Sequence, residues 1–227
     1  QAQAFLLEKI RTGEFVLPSG VSYTFAGNYE NQLRAQQTLS IVLPVSLFVI
    51  FLILYLQFSS VMTTLIVFSG IAVAWSGGFL IIWFYNMSGF LDFAVLGANL
   101  RELFQVGPIN MSVAIWVGFL ALFGIATDNG VVTATYLDQT MARNQAGSKS
   151  EIRQLVVEGA SRRIRPALMT TATTLIALIP VLTSTGRGSD IMVPMAIPSF
   201  GGMLVAIITT LLVPVLYCAV RENSRSA

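Results

Sequence analysis

The chain has 227 residues, 55% of them hydrophobic and only 11% charged, with a mean hydropathy of +0.74 and a net charge of +2. That balance excludes an ordinary soluble domain, in which about a quarter of residues are charged, and it is too nearly neutral for a nucleic-acid binder. One cysteine excludes a disulfide framework, and the absence of histidine removes the commonest zinc ligand and the usual neutral-pH switch.

Residues 1–13 place Phe5, Leu6 and Ile10 on one helical side and end at Gly13. Pro18, Ser19 and Gly20 signal a turn, after which Val21, Tyr23 and Phe25 alternate with Ser22 and Thr24 as a strand does. This helix–strand unit is too small to bury a core of its own, so residues 1–38 read as the end of a water-exposed α/β domain and the helix leading from it. The chain begins at Gln1 with no basic-then-apolar leader, and it reads as a piece of a longer protein.

Five apolar runs follow, at about 39–58, 63–85, 111–137, 167–185 and 192–220. Each is close to the roughly 20 residues that span a bilayer at about 1.5 Å per residue. The fold class is therefore an all-α membrane bundle of five spans, with a small N-terminal α/β remnant. Pro44 is a candidate kink in the first span. Ser59 and Ser60 turn the chain into the second, whose Gly70, Ala72, Ala74, Ser76, Gly77 and Gly78 let helices approach closely. Residues 86–108 form an amphipathic connector expected to lie along the membrane surface. Residues 138–165 read as a polar loop carrying a short helix at 150–160, with Pro166 in the first turn of the fourth span.

Arg143, Lys149, Arg153, Arg162, Arg163 and Arg165 lie in that loop, and Arg221 and Arg225 follow the last span. Five spans put this basic end and the N-terminus on opposite sides. Positive residues favour the cytoplasm, so the C-terminal tail at 221–227 is expected inside and the start of the chain outside, in the periplasm of a bacterium.

Asp128 is the one Asp, Glu, Lys or Arg between Glu102 and Asp138. A charged carboxylate near the middle of a span costs about 2.5–3.5 kcal/mol on insertion scales, and such groups mark ion paths by default. The alternative is a structural cap on a broken helix, with Thr127, Asn129 and Gly130 making the break. Thr170, Thr171, Thr173 and Thr174 form a hydroxyl ladder at spacings of three and four that can relay protons or simply hydrogen-bond between helices. Arg163 and Arg165 flank Pro166, where basic residues also serve as membrane-edge anchors. Met192 and Met195, one turn apart, and Met203 beyond them are thioethers suited to copper(I) or silver(I), although methionine is also a common filler. No P-loop, paired-cysteine site or Ser-His-Asp set is present, so enzyme chemistry and a resident cofactor are not expected.

Four motifs in order, GIATDNGVVTATYL at 124–137, VEGASRRIRPALMTT at 157–171, IPVLTSTGRGSDIMVPMAIPSFGGM at 179–203 and PVLYC at 214–218, together with the leading segment at 27–58, carry a family resemblance. The chain resembles the C-terminal transmembrane half of resistance-nodulation-division permeases, most of all their heavy-metal efflux branch. The resemblance implies a trimeric inner-membrane proton antiporter of twelve spans that works with a periplasmic adaptor and an outer-membrane channel. These five spans would be the eighth to twelfth, and the N-terminal half would supply the rest. Asp128 then matches an acidic relay position where multidrug exporters place a lysine. Arg163 and Thr170 match relay positions of the multidrug branch, with Thr174 the next step of the ladder. Met192 matches a methionine proposed to pass copper or silver, and Met195 accompanies it. The departure is Ala167, where copper exporters can carry a lysine partner for the acid, which leaves Arg163 as the substitute counter-charge. The expected function is proton-driven heavy-metal export. Its rivals are an exporter of organic solutes and a truncated scaffold that transports nothing.

Overall fold

Helix formation follows the apolar runs and overshoots most of them. The computed structural model describes Thr12 and residues 28–95, 97–144 and 149–224. The expected helix at 1–13 and strand at 21–25 lie outside the described residues. The chain forms two units, Gln1–Ile41 and Val42–Ala227.

The long helices are α1 (Asn28–Phe58), α2 (Val61–Tyr85), α4 (Val113–Arg143), α5 (Lys149–Leu182) and α6 (Ser189–Ser224). All five are long and apolar enough to cross a membrane. Pro44 sits inside α1 without ending it. At the α1–α2 junction Ser59 takes a left-handed φ of 48°. Ser60 then caps α2, its hydroxyl accepting from the Thr63 amide at 3.5 Å.

The connector at 86–108, expected to be amphipathic, holds little regular structure. Its regular structure is a minimal antiparallel ladder, β1 (Ala94–Val95) with β2 (Ala98–Asn99), and a single turn, α3 (Leu100–Leu103). Gly97, at φ 85°, supplies the positive φ that so tight a hairpin demands. Arg101 donates to the carbonyls of Met87 and Ser88, and Gln105 Nε2 donates to the Ser184 carbonyl at 2.5 Å, tying the connector to the end of α5.

The fourth span differs from its expectation. No separate helix at 150–160 exists, because α5 runs unbroken through Pro166 and Pro180. Pro166 removes only the donor owed to the Arg162 carbonyl, at an exposed position where water can replace it. Likewise α4 continues to Arg143, so most of the expected polar loop is helix extending past the apolar run.

The core gathers around α6, which packs against α2, α4 and α5. Small residues make this possible. A Cβ on Gly77 would fall 2.7 Å from the Gly201 carbonyl oxygen, and one on Gly201 would fall 2.7 Å from that of Gly77, so the α2 and α6 backbones interlock. A Cβ on Gly118 would likewise collide with the Met195 carbonyl, and Ser199 spans the same contact by donating to the Gly118 carbonyl at 3.0 Å. Phe119, Phe123, Leu122 and Met203 fill the centre, with Trp75 edge-on to Phe119 at 6.0 Å.

Candidate functional site

The buried face of α4 includes Ile115, Gly118, Phe119, Leu122, Ala126, Gly130 and Ala134, all turned toward its neighbours. That periodicity leaves an opposite stripe at spacings of four and three: Val117, Ala121, Gly124 and Asp128, all exposed. The carboxylate is therefore presented outward from this unit beside small residues. A Cβ on Gly124 would meet nothing within 4 Å.

The capping alternative has no support, because α4 is helical on both sides of Asp128 and Thr127 donates to the Phe123 carbonyl at 2.6 Å. Among the described residues none gives Asp128 a hydrogen bond or ion pair.

Arg163 does not reach it. In the antiparallel α4–α5 pair, Gly159 lies against Leu137 and Thr140. Travelling back along both helices at about 1.5 Å per residue sets Asp128 at the height of residues 168–171, with Arg163 roughly 8–12 Å nearer the basic end. Half-buried Arg163 has no ion-pair partner among the described residues.

Thr170 and Thr171 are at that height, and Thr173 and Thr174 stand up to about one turn beyond it. Each bonds within its own helix: Thr170 to the Pro166 carbonyl at 2.7 Å, Thr171 to Ala167 at 2.9 Å, Thr173 to Met169 at 2.8 Å and Thr174 to Thr170 at 2.9 Å. Their protons are occupied but each oxygen keeps acceptor capacity. Thr170 and Thr173 are exposed, whereas Thr171 is buried.

At the other end of α6, Met192 is 45% exposed and Met195 is half-buried, while Met203 is 1% exposed and belongs to the core. The first two thioethers are available to a soft cation and the third is packing. Among the described residues, no cluster of three His, Cys, Asp or Glu could hold a metal ion.

A second polar group was not anticipated. At the basic end Tyr217, 1% exposed, donates its hydroxyl to Asp138 and accepts from Arg221 Nε at 3.1 Å, while Arg221 pairs with Asp138 at 2.9 Å. Arg153 grips Glu222 with two bonds of 2.5 and 3.0 Å. These contacts bring the ends of α4, α5 and α6 together, so residues 138–165 and the C-terminal turns share one end of the bundle. The signal in the sequence was Tyr217 and Arg221 one turn apart, facing a carboxylate far away in the chain.

Comparison with known proteins then identifies the family. The profile of the AcrB/AcrD/AcrF family matches residues 3–97 and 89–221. Cation efflux system protein CusA of Escherichia coli (strain K12) is 31% identical over 218 residues, covering 93% of this chain and 19% of that protein. Cobalt-zinc-cadmium resistance protein CzcA of Cupriavidus metallidurans is 32% identical over 212 residues, covering 93% of this chain and 17% of that protein. A crystal structure of a heavy metal efflux pump superposes with a TM-score of 0.66 at 27% identity, over 97% of this chain and 19% of that one. The chain thus spans about a fifth of the length of these relatives. It belongs to the AcrB/AcrD/AcrF family, within the branch whose named relatives are heavy-metal cation efflux proteins.

Proposed function

We propose that this chain is the C-terminal membrane part of a permease that exports heavy-metal cations across a bacterial inner membrane in exchange for protons. The observation that carries the reading is Asp128, an unpaired carboxylate on an exposed stripe of small residues midway along an apolar helix. In lipid such a group would be strongly disfavoured, so its face suits a protein neighbour or a watery path. The small residues beside it suit close helix contact, and the chain's relatives are about five times its length. The occupant of that face is the N-terminal half of the same permease, and the exchangeable threonine oxygens at the same height extend the path.

In this reading Asp128 takes a proton from one side and releases it to the other. Alternation between a closed environment, which favours the neutral acid, and one that favours the carboxylate drives the exchange. Arg163 is too far along α5 to act on Asp128 in the arrangement described. It serves instead at the cytoplasmic end of the path. Met192 and Met195 handle the metal, the cargo rather than a cofactor, and the protein is not an enzyme. It works as a homotrimer with a periplasmic adaptor and an outer-membrane channel, its start outside and its C-terminus in the cytoplasm. The relatives named for cation efflux favour metals over organic solutes.

The test is metal efflux from proteoliposomes of the complete permease under an imposed pH gradient. Asp128→Asn keeps size and hydrogen bonding but cannot titrate, and is expected to lower the rate at least about a hundredfold, the scale of a lost proton-transfer group. Asp128→Glu is expected to keep partial activity. Wild-type efflux by the Asn variant would falsify the role.

A further inference from the structure

Helix α5 is held at its two ends and little between them. At the basic end Ile152 and Val156 are buried against Leu137 and Tyr217, and Arg153 pairs with Glu222. At the other end Leu182, 1% exposed, enters the main core, and Gln105 donates to the Ser184 carbonyl. From Pro166 to Val181 only Ala167 and Thr171 are buried.

The same stretch is the weakest part of the helical ladder. Pro166 and Pro180 leave the carbonyls of Arg162 and Ile176 without their backbone donors. The two prolines stand about 21 Å apart along the axis. Between them the hydroxyls of Thr170, Thr171, Thr173 and Thr174 bond back to carbonyls four residues earlier, a pattern that loosens and bends helices.

Helix α6 also carries prolines, but its surroundings lock them. Pro198 and Pro214 are buried and Pro194 is half-buried, whereas both α5 prolines are exposed. A Cβ on Gly202 would fall 2.9 Å from the Ala74 carbonyl oxygen, and one on Gly78 would fall 3.2 Å from that of Pro198. With the Gly118–Met195 contact and the Tyr217–Asp138 bond, α2, α4 and α6 form one interlocked frame.

We propose that α5 is a two-hinge element, in which the segment between Pro166 and Pro180 bows toward and away from the frame while both ends stay anchored. Asp128 stands at the height of residues 168–171, inside that segment. Bowing changes the distance of the Thr170 and Thr171 oxygens from the carboxylate, and so closes or opens its surroundings without moving α4. The proposal rests on the proton-exchange reading of Asp128 and supplies the motion that reading requires.

The test uses metal efflux by the complete permease in proteoliposomes, in a cysteine-free background that includes Cys218→Ser. Pro166→Ala with Pro180→Ala restores both missing bonds. This variant is expected to keep or raise the melting temperature and to slow efflux at least about tenfold, about 1.4 kcal/mol on the conformational step. Pro166→Gly with Pro180→Gly restores the same bonds but keeps the backbone pliable, and should retain most of the efflux. A second arm asks whether the basic end stays anchored. A Cβ on Gly159 would lie 3.7 Å from that of Thr140, within disulfide reach. Oxidising Thr140→Cys with Gly159→Cys should therefore leave efflux unchanged. Wild-type efflux in the double Ala variant, equal losses with Ala and Gly, or a melting temperature lowered by Ala would each overturn the hinges. Efflux blocked by the disulfide would overturn them too, since α5 would then move as a rigid rod. Efflux that ignores the pH gradient would sink proton exchange, a result separate from all of these.

Discussion

Met192, Met195 and Met203 share one helix but not one environment. Met203 is enclosed in the core, where its flexible thioether fills space between α2, α4 and α6, while Met192 is 45% exposed at the opposite end of α6 from the ion pairs. Leucine matches methionine in volume and apolarity but cannot bind a soft cation. Met192→Leu in the complete permease is therefore expected to leave melting temperature unchanged and to lower copper(I) or silver(I) resistance several-fold if those ions are cargo. Unchanged resistance at matched expression would return Met192 to packing. The same scale shows why some residues were legible in the sequence and others were not. Asp128 stood out because a lone acid in an apolar run needs no partner to be noticed. Asp138 did not, because its partners Tyr217 and Arg221 lie 79 and 83 residues away and only the folded bundle brings them to it. An Arg163–Asp128 ion pair is not among the described contacts, and nothing in the linear sequence fixed the register of α4 against α5.

For the helices themselves, the apolar runs located all five, since hydropathy over 20 residues is a strong signal. Their ends were less visible. Pro166 carries the local signature of a helix start, yet α5 already exists for 17 residues before it, its first turns held by buried Ile152 and Val156 and by the Arg153–Glu222 pair. Tertiary packing overrode the proline rule there. The glycine-rich α2 face was readable as a close-packing surface, and the structure gives it a partner in Gly201. Adding one methyl group at Gly201 forces Ile81 and the Gly77 carbonyl aside. Gly201→Ala is expected to cost about 1–3 kcal/mol as an overpacked contact, visible as a lower melting temperature in detergent. Gly186→Ala, where a Cβ would meet nothing within 4 Å, is the control and should melt like the wild type.

At the scale of the whole molecule, an α5 that spans the bilayer opens its two ends on opposite sides of the membrane. In a Cys218→Ser background, a cysteine at Lys149 is expected to react with an impermeant maleimide only from the cytoplasm, and one at exposed Thr185 only from the periplasm. Labelling of both from one face would remove the five-span arrangement. The pairing of Asp138 with Arg221 also bears on how such a bundle is made. A ribosome adding about 5–20 residues per second needs roughly 4–17 s to travel the 83 residues between them. For that interval α4 is complete while the tyrosine and arginine that receive its terminal acid do not yet exist. The clasp at the basic end is thus a late event in biogenesis, and a nascent chain that stalls before residue 217 holds its spans without the bonds that join α4 to α6 there.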